Sequence, residues 1–228
     1  MNTPRNETWL NAGQLLCLDS AMAPKDKQDV LLSTLYFQLA ASAKVNKLEH
    51  ITEWFDVYQA CLQAFGWRTL RSRQSCDHFP GSLVLTWPDI LQTLMPDGVP
   101  GPLEAITQMF QPGRGLVEPA RSQFAGQSVS ENGSALYQVA VLVGVGHLSA
   151  HLDMLLVHFQ TRQPVTGDLT QATFDSSELE GGVMASWLTA CPDGLIFPEY
   201  RDHIHQSLEG LAAQHVLRID QVDHHVPT

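Results

Sequence analysis

Leu136-Tyr137-Gln138-Val139-Ala140-Val141-Leu142-Val143-Gly144-Val145 decides the architecture. Tyr137, Val139, Val141, Val143 and Val145 fall on one side of an extended chain, and Leu136, Ala140 and Leu142 fall on the other. A strand that is apolar on both sides has to be covered on both, so this stretch predicts a central strand. The run 139–145 is far shorter than the about 20 residues a membrane-crossing helix needs. Gly144 and Gly146 end the strand, and 151–161 predicts a second one folded back against it as an antiparallel hairpin. Further on, 169–174 and 183–189 predict two more strands separated by a loop at 175–182, with a meander as the simplest order. Pro198 opens a terminal helix with the stripe Tyr200, Ile204, Leu208 and Leu211. A short strand at 215–219 and a loose tail from Gln221 complete this half.

On the other side of the central strand the period changes from two to about four. Leu31, Leu35 and Leu39, widened by Val30, Leu32 and Tyr36, predict a mostly buried helix from Pro24 to about Asn46. Thr52 is a suitable cap for a second helix carrying Trp54, Val57, Tyr58, Cys61, Leu62 and Phe65, with Gly66 as its stop. The connection is short, so the two form a helical hairpin. Residues 67–75 are polar and lean towards strand, and with 83–85, beyond Phe79-Pro80-Gly81, they predict a strand pair. Pro88 starts a short helix with Ile90, Leu91 and Leu94, and Pro102 starts another with Leu103, Ile106 and Phe110. Five prolines and four glycines lie within 96–119, which reads as a packed connection. The expected fold is α+β: an N-terminal helical hairpin and short helices packed on a mainly antiparallel sheet, with a C-terminal helix. One domain is expected over 1–228, helical at about 24–112 and β-rich at about 114–220.

The stretch from Asp29 to Trp67 contains Leu31-Leu32-x-x-Leu35, Gln38-Leu39-Ala40-Ala41, Trp54, Tyr58 and Phe65-Gly66-Trp67. With Gly194-x-x-x-Pro198-x-Tyr200-Arg201 leading into the terminal helix, it resembles a group of uncharacterised small microbial α+β proteins. The resemblance implies a shared fold and carries no activity.

Composition removes some classes of function. The chain of 228 residues is 44% hydrophobic and 16% charged, and its 24 acidic residues against 13 basic ones give a net charge of −11. That balance repels phosphate backbones, so nucleic acid is excluded as a partner. Residues 1–9 contain no apolar signal core, and the expectation is a cytoplasmic protein or one exported without a standard signal peptide. Cys17, Cys61, Cys76 and Cys191 are widely spaced and read as reduced thiols.

Ten histidines are many for this length. His147 and His151 flank a glycine-marked turn, and Asp153 adds a carboxylate, a two-histidine, one-carboxylate set of the kind iron and zinc accept. Asp202, His203 and His205 lie in the terminal helix, where residues two apart do not share a face, so these read as boundary histidines. Asp223-His224-His225 falls in the tail and reads as incidental. No G-x-S-x-G is present, and Cys76-Asp77-His78 is adjacency without a catalytic signature. Gly144-x-Gly146 lacks the third glycine of a dinucleotide fingerprint. Arg68, Arg71 and Arg73 suit an acidic ligand or a lipid headgroup, and a charged edge strand is the simpler account.

These readings leave three functions and no cofactor. The first is a non-enzymatic interaction or assembly protein with a protein partner or a second copy of itself. The second is a membrane-active, toxin-like protein that contacts lipid without a transmembrane helix. The third is a small metal-binding enzyme built on His147, His151 and Asp153.

Overall fold

The computed structural model describes residues 6–94, 124–129, 135–148, 150–166 and 169–219. In chain order it contains β1 (Glu7–Asn11), β2 (Gln14–Leu18), α1 (Pro24–Ser42), α2 (Ile51–Ala64), β3 (Trp67–Asp77), β4 (Val84–Leu85) and α3 (Trp87–Leu94). There follow β5 (Ala125–Val129), β6 (Ala135–Gly146), β7 (Leu152–Thr161), β8 (Phe174–Asp175), β9 (Leu179–Pro192), α4 (Phe197–Ser207), α5 (Ala212–His215) and β10 (Val216–Ile219). The expected helix after Pro102, the connection at 96–119 and the tail with His224 and His225 lie outside the described residues.

The main sheet runs β10-β1-β2-β6-β7-β9-β3, with β5 also paired to β6. Every pairing is antiparallel except β2 with β6. β6 is the expected central strand, and its two apolar sides face two cores. Leu142 joins Leu16, Leu18, Leu152, Met154, Leu156 and Leu188 against α1, α2 and α4. Val139, Val141, Val143 and Val145 join Leu155, Val157 and Val183 against Trp87, Ile90, Leu91 and Leu94 of α3. The fold is therefore α+β, with helices packed on a largely antiparallel sheet and a helix near the C-terminus.

Several expectations are corrected. No element was expected before Pro24, yet β1 and β2 form a hairpin there, and all five residues of β2 are buried. β3 does not pair with 83–85; it lies along β9, while β4 pairs with β8 in a separate two-stranded sheet. Residues 169–174 form a short 3₁₀ turn and the start of β8, so β7 and β9 are direct neighbours. β9 is 14 residues long, extending the expected strand at both ends.

α1 carries polar residues into the interior, and the β1–β2 turn receives them. Asn11 donates from Nδ2 to Leu31 O at 2.8 Å and to Thr34 Oγ1 at 2.7 Å, and Gln38 Nε2 donates to Asn11 O at 2.9 Å. Such pairing removes most of the cost of burying amides. Two histidines of α4 meet α1 and the residue that follows α2. His203 stacks on Phe65 at 5.8 Å and its Nε2 lies 3.4 Å from Tyr36 Oη, and His205 Nε2 lies 3.6 Å from Asp29 Oδ1. These are boundary histidines, as their spacing implied.

Candidate functional site

On the side of the sheet that faces α1 and α2, the strands change from apolar to polar at one level. β7 reads Leu152, Met154 and Leu156, then His158 and Gln160. The register sets Gln138 of β6 opposite Gln160, and His158 opposite Met184 and Gln160 opposite Glu180 of β9. The helical layer covers only the apolar part, because unpaired polar groups are costly under a helix. What remains open is a cleft of about 500 Å³ between this polar patch and the approach to α2, where Glu49, His50 and Glu53 stand.

The β7–β9 ladder is irregular here, with a register shift between His158 and Gln160, and Gly181 at φ +76°. Bulges of this kind redirect side chains at sheet edges and near sites. At Gly182 a side chain would collide with Cys76 Sγ and come within 3.1 Å of His78 Cε1, so the missing β-carbon leaves room for both side chains beside β9. Burial pushes the His158 imidazole down to about 4, which leaves it neutral at physiological pH. The cleft therefore offers carboxylates, amides and a neutral imidazole, and among the described residues no lysine or arginine lines it.

The β6–β7 turn holds the residues that the spacing singled out. His147 N donates to His151 O at 2.8 Å and Ala150 N donates to His147 O at 2.9 Å, with Ala150 at φ 56°. His147 Nε2 lies 2.8 Å from Asp153 Oδ2, and Thr189 Oγ1 donates to Asp153 Oδ1 at 2.6 Å. His147 and Asp153 are thus brought together by a hydrogen bond, while His151 meets His147 through its backbone. Both carboxylate oxygens of Asp153 already accept hydrogen bonds. Among the described residues no three histidine, cysteine or carboxylate side chains converge as a metal ion requires.

The hydrogen bond to Asp153 raises the His147 imidazole above its ordinary value, against an opposing effect of burial. Burial works to raise the Asp153 carboxyl, but the hydrogen bonds from His147 and Thr189 and the neighbouring imidazoles outweigh it and hold it below its ordinary value. The raised imidazole gives stability that is complete below 6.5 and is lost as pH climbs through its folded value. The lowered carboxyl gives stability that is complete above 3.8 and is lost as pH falls through its folded value. The contribution of the pair is therefore greatest between those ordinary values. Thermal unfolding followed from pH 5 to 8 will show a decline above 6.5 that flattens in His147→Gln, and an equal slope in both proteins would contradict this assignment.

The same end of the sheet carries an apolar rim that sequence reasoning missed. β2, β6, β7 and β9 meet there, through Leu18 opposite Gly146, Gly146 opposite Leu152 and Leu152 opposite Ala190. Leu148 in the β6–β7 turn is 57% exposed, and Leu195 and Ile196, between β9 and α4, are 86% and 49% exposed. The second loop is rigidly folded. Asp193 accepts from Leu195 N at 2.9 Å and Ile196 N at 3.2 Å, donates its own N–H to Gly66 O at 2.8 Å, and pairs with Arg68 Nε at 3.2 Å. The backbone N–H groups of Leu195 and then Ile196 hold the Asp193 carboxyl below its ordinary value. The readable signal was Asp193-Gly194 as an Asx turn followed at once by two large apolar residues.

No protein-family model matches the sequence, and no curated protein matches it. Solved structures do show similarity. A delta-endotoxin is 10% identical with a TM-score of 0.46, over 80% of this chain and 81% of that one. The activated Cyt2Ba monomer from Bacillus thuringiensis subsp. israelensis is 9% identical with a TM-score of 0.44, over 80% of this chain and 98% of that one. The Evf virulence factor is 12% identical with a TM-score of 0.38, over 88% of this chain and 77% of that one.

Proposed function

We propose that this chain is a non-enzymatic, membrane-active protein of the toxin-like kind, which meets lipid with the end of the sheet that carries Leu148, Leu195 and Ile196. The exposure of these three side chains on two internally hydrogen-bonded loops at the same end of the sheet is the observation that supports this reading. Transferring one such side chain out of water contributes about 1.5–3 kcal/mol. Three of them on loops already ordered give enough for reversible attachment to a bilayer surface. No helix among the described residues is long and apolar enough to cross a membrane. β6, β7 and β9, at 12, 10 and 14 residues, have the length that a tilted strand of about 9–11 residues needs to cross. An interaction or assembly role is the alternative, favoured by the edge position of β3, the last strand of the main sheet among the described residues.

Co-sedimentation and dye release with liposomes of neutral and anionic lipid test the proposal. Wild-type protein will bind, and the triple variant Leu148→Ser, Leu195→Ser, Ile196→Ser will bind roughly tenfold to a hundredfold more weakly. Protein that stays in solution with every lipid and at every pH, or a triple variant that binds as well as wild type, would overturn it.

A further inference from the structure

β3 ends the main sheet on one side. β9 takes one of its hydrogen-bonding edges, and among the described residues no strand pairs with the other, along a strand of 11 residues that is mostly exposed from Arg68 to Cys76. The opposite end of the sheet is only four residues long, at β10. Long open edges are unusual in native sheets, which shorten, cover or charge them.

The charge on this edge differs from the charge elsewhere. Arg162 lies 2.9 Å from Glu180, Arg201 lies 2.8 Å from Asp29, Arg218 lies 4.0 Å from Glu7, and Arg68 lies 3.2 Å from Asp193. Among the described arginines, Arg71 and Arg73 alone have no carboxylate partner, in a chain whose net charge is −11. Two apart on a strand, they project to the same side roughly 7 Å from one another.

We infer that the open edge of β3 is a docking strand for an extended acidic peptide segment of another protein. The surface is separate from the lipid-facing rim. The added strand completes the ladder through its backbone, and carboxylates at alternate positions reach Arg71 and Arg73, where fork-shaped guanidinium pairing gives both strength and register. The ladder of β3 with β9 is regular from Arg71 to Asp77 and shifts between Thr69 and Arg71, so the straight part accommodates about seven residues. Asp77 at its far end repels a carboxylate, which confines the acidic positions to the Arg71 end. The same arginines oppose pairing with β3 of a second copy, since like charges directly across a sheet are destabilising. That accounts for an edge that rejects its own kind and selects an acidic partner.

Fluorescence anisotropy of the full chain with a labelled Thr-Glu-Val-Glu-Val-Thr-Thr peptide tests this. Saturable binding is expected, with roughly a tenfold loss in Arg71→Glu with Arg73→Glu, and the same variant will gain affinity for the peptide with lysine in place of glutamate. The acidic peptide methylated on alternate backbone nitrogens will also bind about tenfold more weakly, because a strand needs those N–H groups. Thermal unfolding of the variant alongside wild type confirms that the sheet is intact. Absence of saturable binding to wild type, equal binding of the methylated peptide, or equal binding by the charge-reversed variant would each overturn the inference.

Discussion

Arg201→Met is expected to destabilise the protein by about 3–5 kcal/mol, the loss typical when one partner of a buried ion pair is removed. Asp29 lies in the early part of α1 with its side chain 4% exposed, and Arg201 of α4 holds both of its oxygens, with Nε at 2.9 and 3.1 Å and Nη2 at 2.8 Å. The guanidinium also lies 5.0 Å from the Phe197 ring centroid. Methionine retains some of the packing and none of the charge, so a carboxylate would be left under the helices with, among the described residues, His205 Nε2 as its one basic neighbour, at 3.6 Å. Adding Asp29→Leu to Arg201→Met removes the stranded charge and should recover much of the loss, because a buried pair and an apolar replacement of similar volume are often close in stability. Urea unfolding of the two single variants and the double variant measures the coupling. Costs that simply add would show that the pair acts only through packing. α4 begins directly after Leu195 and Ile196, so this clamp also fixes one anchor of the exposed apolar loop.

The legible parts of the fold were those in which neighbouring residues carry the signal. The two-sided valine pattern of β6 and the leucine spacing of α1 are local, and both elements stand where the pattern put them, although α1 ends at Ser42 and not at Asn46. β2 escaped notice because five consecutive buried residues leave no alternation to read, and because Ala12-Gly13 is not one of the strong hairpin dipeptides. Pairing β3 with the nearest candidate strand failed because strand partners are chosen by long-range packing, and β9 lies more than a hundred residues away. The cleft was hidden for the same reason. Gln138, His158 with Gln160, and Glu180 come from three different strands, and only the register assembles them. His147 and Asp153 were singled out by spacing, but the hydrogen bond that relates them, and the part of Thr189 in it, depend on β7 lying beside β9. The reading of Arg68, Arg71 and Arg73 as a charged edge matched the structure because edge position leaves a compositional trace.

Gly66→Ala is expected to cost roughly 2–5 kcal/mol, about 1–2 for a left-handed backbone and about 1–3 for overpacking. Gly66 follows the C-terminus of α2 at φ +78°, the position at which a helix reverses into the next strand. A β-carbon there would lie 2.8 Å from both Phe197 Cα and Phe197 N and 3.1 Å from Ile196 C. These are backbone atoms, so no side-chain rotation relieves the contact. The carbonyl of Gly66 accepts the N–H of Asp193, and Asp193 in turn folds the loop that presents Leu195 and Ile196. One added methyl therefore strains the end of α2, the start of α4 and the exposed rim together. Gly66→Asn separates the two causes. Asparagine tolerates the left-handed region better than alanine does but carries the same β-carbon. If asparagine is nearly as harmful as alanine, the close approach to Phe197 dominates, and if it is close to wild type, the backbone angle does. Chemical denaturation of both variants gives the stabilities, and liposome co-sedimentation shows whether the displaced rim also loses lipid. An alanine variant within about 1 kcal/mol of wild type would mean that α4 can move away freely, and the rigid presentation of Leu195 and Ile196 would lose its structural basis.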